Sequence, residues 1–145
     1  MKALIQRVDS SSVTVNNKTV GSIGYGMLVL LGIEKKDTVD NLEKMIQKII
    51  NFRMFSDADD KMNLSINAIN GEILLVSQFT LAADTNAGKR PSFSSAMEPK
   101  RAKEMYDLFA EKLKKEVNRV ETGKFGADSK VSLVNDGPVT FMLSC

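Results

Sequence analysis

The sequence predicts an α+β fold in which two main helices pack against a curved, barrel-like and mostly antiparallel sheet. Two segments that are mostly apolar, residues 26–33 and 72–81, have the character of strands that are buried on both faces. Two other segments carry apolar residues at helical spacing, and strand and turn residues make up the rest. With 145 residues and no linker or repeat, the chain is expected to form a single domain over residues 1–145.

The first predicted element is an N-terminal hairpin. Residues 3–8 and 12–15 have strand composition, and residues 16–18 form a turn before Thr19 and Val20. The two mostly apolar segments are expected at the centre of the sheet, because strands without a polar face have to be covered on both sides.

Two helices are predicted from apolar spacing and from residues suited to helix starts. Asp37 or Thr38 can cap the first helix, and its core-facing positions are Val39, Leu42, Met45, Ile46, Ile49 and Ile50. Pro99 suits the first turn of the second helix, whose core-facing positions are Ala102, Met105, Phe109, Leu113 and Val117.

The C-terminal stretch "SLVNDGPVT" combines strand residues with an unusual turn. Apolar, β-branched runs at 131–134 and 139–143 flank the Asn-Asp-Gly sequence at 135–137, which predicts a hairpin. Pro138 then removes a backbone donor where the returning strand would begin to pair. From these residues alone it is expected to be a trans turn proline at a sheet edge, because only about 5–6% of X-Pro bonds are cis.

Composition excludes several classes of protein. The N-terminal "MKALIQRV" has too few apolar residues for a signal peptide, and the longest apolar run, residues 27–31, is far shorter than the roughly 20 residues that cross a bilayer. The single cysteine is the last residue, Cys145, which together with eight methionines predicts a reducing, cytoplasmic location. A net charge of +2 indicates that any contacts with phosphates are local.

Two basic groups could make such contacts. Lys89 and Arg90 lie in the loop "NAGKRPSFS". The second group is interpreted as the solvated face of a surface helix, and it consists of Lys100, Arg101, Lys103, Lys112, Lys114 and Lys115.

Two motifs suggest ligand sites without meeting their requirements. The glycines of "GSIGYG" precede a buried strand, whereas a dinucleotide-binding loop has to join a strand to a helix, so they are interpreted as turn residues. The stretch "DADDKMNLS" offers aspartates, but Met62 and Ala68 occupy positions where a calcium loop needs glycine and glutamate. This stretch predicts an acidic hairpin turn.

The residue types that are absent limit the chemistry. The chain has no histidine, so it cannot assemble a Ser-His-Asp or Cys-His relay, and no zinc site of His and Cys ligands is expected. Ser77 and Thr80 lack an evident base, so each is interpreted as a hydrogen-bonding strand residue. An enzyme of this composition would depend on positioning and on preorganised backbone dipoles, which can supply on the order of 10 kcal/mol, enough for a labile ester.

Five stretches resemble the D-aminoacyl-tRNA deacylase family. They are "ALIQRV", "SQFTL", "GKRPSFS", "ETGKFGAD" and "SLVNDGPVT", and their order and spacing agree with that family over essentially the whole chain. The resemblance implies the fold of that family and a cytoplasmic homodimer that hydrolyses the ester between a D-amino acid, or glycine, and the terminal adenosine of tRNA. It implies no cofactor, no metal, no DNA and no membrane partner.

In that family the Gly-Pro of the last hairpin is cis and inserts into the partner subunit's pocket, a role that the resemblance implies for Gly137 and Pro138. Their carbonyls would point the same way and accept hydrogen bonds from the substrate's ammonium group. With the amine and the ester both fixed, an L side chain would be driven into protein, whereas a D side chain or glycine would be accepted. Chirality is therefore expected to be read by steric exclusion.

The resemblance also implies that residues 77–80 form the other wall of the pocket. The backbone amides of Phe79 and Thr80 would stabilise the oxyanion, and Ser77 and Gln78 would help to order the site. The attacking group is expected to be water assisted by the 2′-hydroxyl of the terminal ribose, because the chain has no histidine to activate Thr80.

Further substrate contacts are implied at the adenine and along the acceptor end of the tRNA. Phe125, followed by Gly126, matches the position that packs against the terminal adenine, and Lys89 and Arg90 would contact the acceptor end. Arg7 resembles a residue that tethers the Gly-Pro loop, although an arginine in a strand is usually a surface residue with a packed stem.

Two departures and two alternatives accompany the resemblance. Ser129 stands where relatives commonly have methionine in the adenine pocket, and Ala82 stands where they commonly have tyrosine. One alternative is a non-catalytic RNA-binding dimer that grips the tRNA acceptor end with Lys89 and Arg90. The other is a general esterase that uses Thr80 as its nucleophile.

Overall fold

The structure is a computed structural model that describes residues 1–86 and 88–145. Within these residues the chain forms eight strands and two α-helices. The strands are β1 (Lys2–Val15), β2 (Lys18–Ile23), β3 (Gly26–Gly32), β4 (Phe55–Ser56), β5 (Met62–Leu64), β6 (Glu72–Ser77), β7 (Arg119–Thr122) and β8 (Ser129–Ser144), and the helices are α1 (Val39–Ile50) and α2 (Pro99–Glu116).

Six of these strands form one sheet around the long strand β1. One edge of β1 pairs antiparallel with β3 and then with β2, and the other edge pairs antiparallel with β8. β3 continues to β6 and β6 to β7 through parallel pairs. The sheet curls until β2 reaches β7, where the Cβ position of Gly21 lies 2.8 Å from the carbonyl oxygen of Thr122. The predicted α+β class, with a barrel-like and mostly antiparallel sheet, is confirmed.

Alternation along the central strands divides the hydrophobic core into two parts. Met27 and Val29 of β3 pack with the two helices, whereas Leu28 packs inside the barrel with Leu74 of β6 and Val13 of β1. Both faces of β3 and β6 are therefore buried, as their mostly apolar sequences predict.

Helix α1 begins at the predicted cap. Thr38 Oγ1 accepts a hydrogen bond from the Asn41 N–H at 3.4 Å, and the Asn41 side chain accepts one from the Thr38 N–H at 3.0 Å. Five of the six predicted core positions are buried, but the prediction for Val39 is wrong, since its side chain is 45% exposed. Val39 is the first helical residue, and the neighbouring elements do not cover the start of the helix.

Helix α2 begins at Pro99, and the Glu98 side chain accepts hydrogen bonds from two backbone N–H groups of its first turn. Its buried face includes Tyr106 and Ala110, which the predicted stripe omitted, whereas Met105 is half-buried. Its charged side carries the ion pairs Lys103–Asp107, Lys112–Glu43 and Lys115–Glu111. These pairs agree with the interpretation of a solvated helix face.

Two predicted strand boundaries differ from the structure. β1 is a single strand rather than two, because β8 continues to pair with it where the two predicted segments meet. The strand predicted over 72–81 ends at Ser77, and residues 79–82 form a short 3₁₀ turn instead. The turn predicted over residues 16–18 is confined to residues 16–17, because Lys18 already pairs with Val15 at the start of β2. The acidic hairpin turn is confirmed at residues 57–61, where Asp57 Oδ1 accepts from the Asp59 and Lys61 N–H groups.

The predicted C-terminal hairpin is wrong. Residues 131–134 and 139–143 belong to the same strand, β8, and both pair with β1 rather than with each other. The long β1 offers one continuous edge, so the two apolar runs line up along it and the residues between them bulge outward.

Across residues 1–86 and 88–145, neither helix is both long and apolar enough to cross a membrane.

Candidate active site

The bulge in β8 is the first feature of the candidate site. Gln6 pairs with Thr140 and Val8 pairs with Asn135, so residues 136–139 lie opposite Arg7 alone. The peptide bond between Gly137 and Pro138 is cis, and both residues are exposed. The tip of the bulge therefore exposes the main chain of a glycine and a proline, neither of which has a polar side chain.

Arg7 fixes the base of this bulge from the neighbouring strand. Its guanidinium Nε lies 2.7 Å from Asp136 Oδ2 and donates to the Asp136 carbonyl at 3.1 Å, and its Nη1 donates to the Met54 carbonyl at 3.0 Å. Arg7 is only 9% exposed, so these contacts are shielded from water. The expectation that an arginine in a strand lies at the surface is wrong here, because three oxygen acceptors surround this one.

Two further side chains hold the bulge. Tyr25 Oη donates to Asp136 Oδ2 at 3.4 Å. Burial of the hydroxyl raises the pKa of Tyr25, and the negative charge of Asp136 raises it further, so Tyr25 keeps its proton and remains a donor. Asn135 Nδ2 donates to the carbonyls of Arg7 at 2.9 Å and Val139 at 3.3 Å. A Cβ at Gly137 would lie 2.6 Å from Asn135 Oδ1, so the fixed asparagine favours glycine here.

The second feature is the turn at residues 77–80, where β6 ends. Ser77 pairs with Leu31 at the end of β3, and the Gln78 N–H donates to the Leu31 carbonyl at 2.8 Å. Gln78 Nε2 donates to Thr80 Oγ1 at 2.5 Å. Phe79 and Thr80 begin the 3₁₀ turn, where the first N–H groups have no intrahelical partner, and both residues are exposed.

The loop with Lys89 and Arg90 lies beside this turn. A bridge between Asp84 and Ser92 closes the loop, and the ring of Phe93 lies 5.1 Å from the ring of Phe79. Lys89 and Arg90 are exposed. Ala87, part of the predicted phosphate-contacting loop, lies outside the described residues.

Phe125 also approaches the end of β6. Its ring lies 5.6 Å from that of Tyr106, and the Tyr106 hydroxyl and the Gly123 N–H both donate to the Leu75 carbonyl at 2.9 Å. Gly126 follows with a φ of 70°, in the left-handed region that glycine adopts readily.

The two positions expected to depart from the family pattern differ in exposure. Ser129 is exposed at the first residue of β8, whereas Ala82 is buried in the 3₁₀ turn.

The structure brings together some predicted site residues and separates others. Residues 77–80, the loop with Lys89 and Arg90, and Phe125 gather around the C-terminal end of β6. The bulge lies opposite Arg7 of β1, which pairs with Met27 of β3, and Met27 in turn pairs with Ile73 of β6. Ile73 precedes Ser77 by four residues along β6. This separation corresponds to about 13 Å along the strands alone, so the bulge tip does not reach the turn of its own chain.

Several residues of this arrangement were not predicted. Asn135 and Asp136 were assigned to a hairpin turn, and neither Tyr25 nor Phe93 was a candidate. The signal available in the sequence was the polar pair directly before Gly-Pro, which could have indicated side chains that fold back onto the main chain. In residues 1–86 and 88–145, no group of three or more His, Cys, Asp or Glu could hold a metal ion.

Comparison with known proteins identifies the family. The model of the D-Tyr-tRNA(Tyr) deacylase family matches residues 4–144. The D-aminoacyl-tRNA deacylases of Mannheimia succiniciproducens and Escherichia coli O81 are 55% and 52% identical to this chain over 143 residues, and the matches cover 99% of this chain and 99% of each relative.

Two solved structures share the fold. The c-Myc DNA Unwinding Element Binding Protein superposes with a TM-score of 0.96 at 43% identity, covering 100% of this chain and 99% of that chain. A probable eukaryotic D-amino acid tRNA deacylase superposes with a TM-score of 0.83 at 18% identity, covering 99% and 98%. The family implied by the five sequence stretches is confirmed: the chain belongs to the D-Tyr-tRNA(Tyr) deacylase family of hydrolases.

Proposed function

We propose that this chain hydrolyses the ester of D-aminoacyl-tRNA, releasing the free D-amino acid and tRNA, and that it acts as a cytoplasmic homodimer. Mischarged glycyl-tRNA is a second substrate, because glycine has no side chain that could clash. The observation that carries the proposal is the exposed main chain at Gly137 and Pro138, next to Asp136, which the buried Arg7 binds.

The positions of the two parts of the site support the proposed homodimer. The bulge tip and the turn at 77–80 are separated by about 13 Å along the strands of one chain, whereas a substrate's amine and ester lie on the same α-carbon. A second copy can supply the missing tip to each turn, because a two-fold axis makes the exchange reciprocal. Each pocket would then contain residues 77–80 and 125–126 of one chain and residues 137–138 of the other.

Handedness is read by the main chain in this arrangement. The carbonyls of Gly137 and Pro138 accept hydrogen bonds from the ammonium group, and the turn at 77–80 holds the ester. Two of the four directions at the α-carbon are then fixed, and the side chain occupies one of the two that remain. The side chain of an L-substrate meets protein, whereas that of a D-substrate points into open space. Selectivity comes from exclusion and is indifferent to the chemistry of the side chain.

The chemical step depends on backbone donors and on the substrate. The N–H groups of Phe79 and Thr80 lie at the unpaired start of a 3₁₀ turn and would stabilise the negative charge of the tetrahedral intermediate. Gln78 holds the Thr80 hydroxyl, and Ser77 anchors the turn at the end of β6. Water assisted by the 2′-hydroxyl of the terminal ribose is the nucleophile, because the chain has no histidine.

The tRNA end is bound around the same turn. Phe125 packs against the terminal adenine with Gly126 beside it, and stacking of this kind contributes about 1–3 kcal/mol. Lys89 and Arg90, both exposed on the neighbouring loop, contact phosphates of the acceptor end. DNA and membranes are not partners in this proposal.

Hydrolysis of matched D- and L-substrates tests the proposal. D-tyrosyl-tRNA, D-aspartyl-tRNA, glycyl-tRNA and L-tyrosyl-tRNA are incubated with and without the protein, and the remaining ester is measured over time. Fast decay of both D-esters with an unchanged L-ester is the expected result, and glycyl-tRNA should also be cleaved. Equal decay of all esters with and without protein would instead support the non-catalytic RNA-binding dimer.

A further inference from the structure

Phe79 and Phe93 form an exposed aromatic pair whose rings the proposed chemistry does not use. Their side chains are 57% and 42% exposed, and their ring centroids lie 5.1 Å apart with planes inclined by 55°. Large exposed aromatic side chains placed together on a surface usually mark a binding site.

The pair is held in place from both sides of Phe93. Before it, Ser92 and Asp84 exchange two backbone hydrogen bonds of 2.8 and 3.0 Å. After it, the Ser95 hydroxyl donates to the carbonyl of Ala82, and the Ser95 carbonyl accepts from the Lys35 N–H at 2.8 Å. The bonds to Asp84 and Ala82 tie the backbone on both sides of Phe93 to the segment that directly follows Phe79, which holds the two rings side by side.

Charge and aromatic surface coincide at this place. Lys89 and Arg90 lie on the loop that the Asp84–Ser92 bridge closes, and Phe93 follows them directly after that bridge. Aromatic rings next to basic side chains are the features by which proteins bind single-stranded nucleic acid, with bases stacked on the rings and phosphates near the cations. A protein partner would need a larger apolar surface than two rings beside two cations.

We propose that the side chains of Phe79 and Phe93 form a stacking platform for the unpaired nucleotides that precede the terminal adenosine of tRNA, with Lys89 and Arg90 contacting the phosphates between them. This inference rests on the proposed function, which places the ester at the backbone of Phe79. The terminal adenosine carries the ester on its ribose, and a single phosphate links that ribose to the preceding nucleotide. The preceding nucleotide therefore leaves the pocket close to Phe79. The platform is the aromatic surface directly beside that exit.

The test compares an ester that carries these nucleotides, as part of the whole tRNA, with one that lacks them. D-tyrosyl-tRNA contains them, whereas D-tyrosyl-adenosine lacks them. For Phe93→Leu, which keeps an apolar side chain but removes the aromatic ring, the ratio of kcat/KM for the tRNA to that for the adenosine ester should fall about tenfold. Phe93→Tyr should restore the ratio, and Met62→Leu, a change at an exposed residue of β5, should leave it as in the wild type.

A binding measurement gives a readout that does not need hydrolysis. The affinity for a fluorescein-labelled single-stranded RNA ending in CCA should weaken about tenfold in Phe93→Leu. Lys89→Gln and Arg90→Gln should each reduce the slope of log affinity against log salt by about 0.7, whereas Lys61→Gln in the β4–β5 turn should not change it.

These outcomes separate the platform from the proposed function. If the wild type cleaves both esters while Phe93→Leu leaves the ratio and the RNA affinity unchanged, the platform is refuted and the deacylase function stands. If the wild type cleaves neither ester, the proposed function fails, and the RNA affinity alone decides on the platform. If sedimentation showed that Phe93→Leu dissociates a dimer into single subunits, the ring would be assigned to a subunit contact, and the platform would also be overturned.

Discussion

Thr80 carries a hydroxyl next to the proposed oxyanion site, and its contacts argue for an ordering role. Its Oγ1 accepts a hydrogen bond from Gln78, and the chain has no histidine that could remove its proton. We expect Thr80→Ala to keep kcat/KM for D-tyrosyl-tRNA within about tenfold of the wild type, because the backbone N–H is retained. Single-turnover hydrolysis measures this, with Thr19→Ala as the control for an exposed threonine. Complete loss of activity in a folded variant would show that the hydroxyl attacks the ester.

Gly137 is expected to be far less tolerant of substitution. A Cβ there would lie 2.6 Å from Asn135 Oδ1, and Asn135 is held by hydrogen bonds to two carbonyls. We expect Gly137→Ala to lower kcat/KM for D-tyrosyl-tRNA by about 100-fold, since a small displacement of a positioning group has effects of that size. Steady-state kinetics measures the effect, and circular dichroism confirms the fold. Unchanged activity would refute the role of the bulge tip.

The individual residues differ in how far the sequence could reveal them. Phe125 and the turn at 77–80 belong to contiguous motifs, so a resemblance over a few residues was sufficient to select them. Arg7, Tyr25 and Asn135 act through contacts to residues more than 100 positions away or across a bulge, and no local pattern encodes those contacts. The resemblance implied the tethering role of Arg7, whereas the roles of Tyr25 and Asn135 became visible only once strand pairing had placed them beside the bulge.

The bulge of β8 depends on one buried arginine from β1. Lysine at position 7 could not reach both Asp136 and the Met54 carbonyl, which the guanidinium contacts through different nitrogen atoms. We expect Arg7→Lys to lower the free energy of unfolding by about 1–3 kcal/mol and to reduce D-ester hydrolysis at least tenfold. Urea unfolding and deacylation kinetics measure the two effects.

A matched control for Arg7 exists on β7. Arg119 pairs with Glu72 at 3.0 Å, but its side chain is 52% exposed. Arg119→Lys is therefore expected to change the free energy of unfolding by no more than about 0.5 kcal/mol. If both lysine variants lost the same stability, the buried tether would have no special role.

Secondary structure was predictable where the residues of a single segment determine it. It was not predictable where it depends on which other segment a strand pairs with. The Thr38 cap and the apolar runs of β3 and β6 are local features, and the structure confirms them. The C-terminal hairpin was a reasonable expectation for Asn-Asp-Gly between apolar runs, but it requires the two runs to pair with each other. The long edge of β1 competes for both runs, and strand pairing with β1 prevails.

The two ends of the chain meet in one buried polar cluster. The Met1 ammonium donates to Asp37 Oδ1 at 2.5 Å, to Glu34 Oε2 at 2.9 Å and to the Cys145 carbonyl at 2.9 Å. Burial disfavours the charged ammonium, but the hydrogen bonds to Asp37 and Glu34 outweigh it and raise its pKa. Burial likewise opposes the Glu34 carboxylate, but the hydrogen bond and charge of the ammonium, together with those of Lys2, outweigh it and lower the pKa of Glu34.

These shifts predict how stability depends on pH. The ammonium stabilises the fold fully below its unfolded pKa of about 8, and this contribution is lost as the pH rises through the higher folded value. The Glu34 contribution is present above its ordinary pKa and is lost as the pH falls through the lower folded value. We expect Asp37→Asn to be destabilised relative to the wild type near pH 7, and the difference to shrink toward pH 10. Urea unfolding across this range measures it, with the exposed Asp59→Asn as control, and a difference independent of pH would contradict the account.

Assembly is the level that a single sequence reveals least. The fold class followed from apolar patterning, but the distance between the bulge and the turn at 77–80 follows only from strand register. That distance is what makes a second copy necessary for the proposed site. The homodimer and the single domain over residues 1–145 remain predictions.

Complementation between two defective variants tests the shared site most directly. Gly137→Ala has a defective tip and an intact pocket, whereas Phe125→Asp has an intact tip and a carboxylate where the adenine should stack. When the two are co-expressed with different tags and the mixed dimers are purified, one of the two pockets combines an intact turn with an intact tip. We predict that Gly137→Ala alone keeps about 1% of the wild-type activity on D-tyrosyl-tRNA, that Phe125→Asp alone is no more active, and that mixed dimers recover about half of the wild-type activity. Mixed dimers no more active than the separate variants would contradict a tip supplied by the second copy.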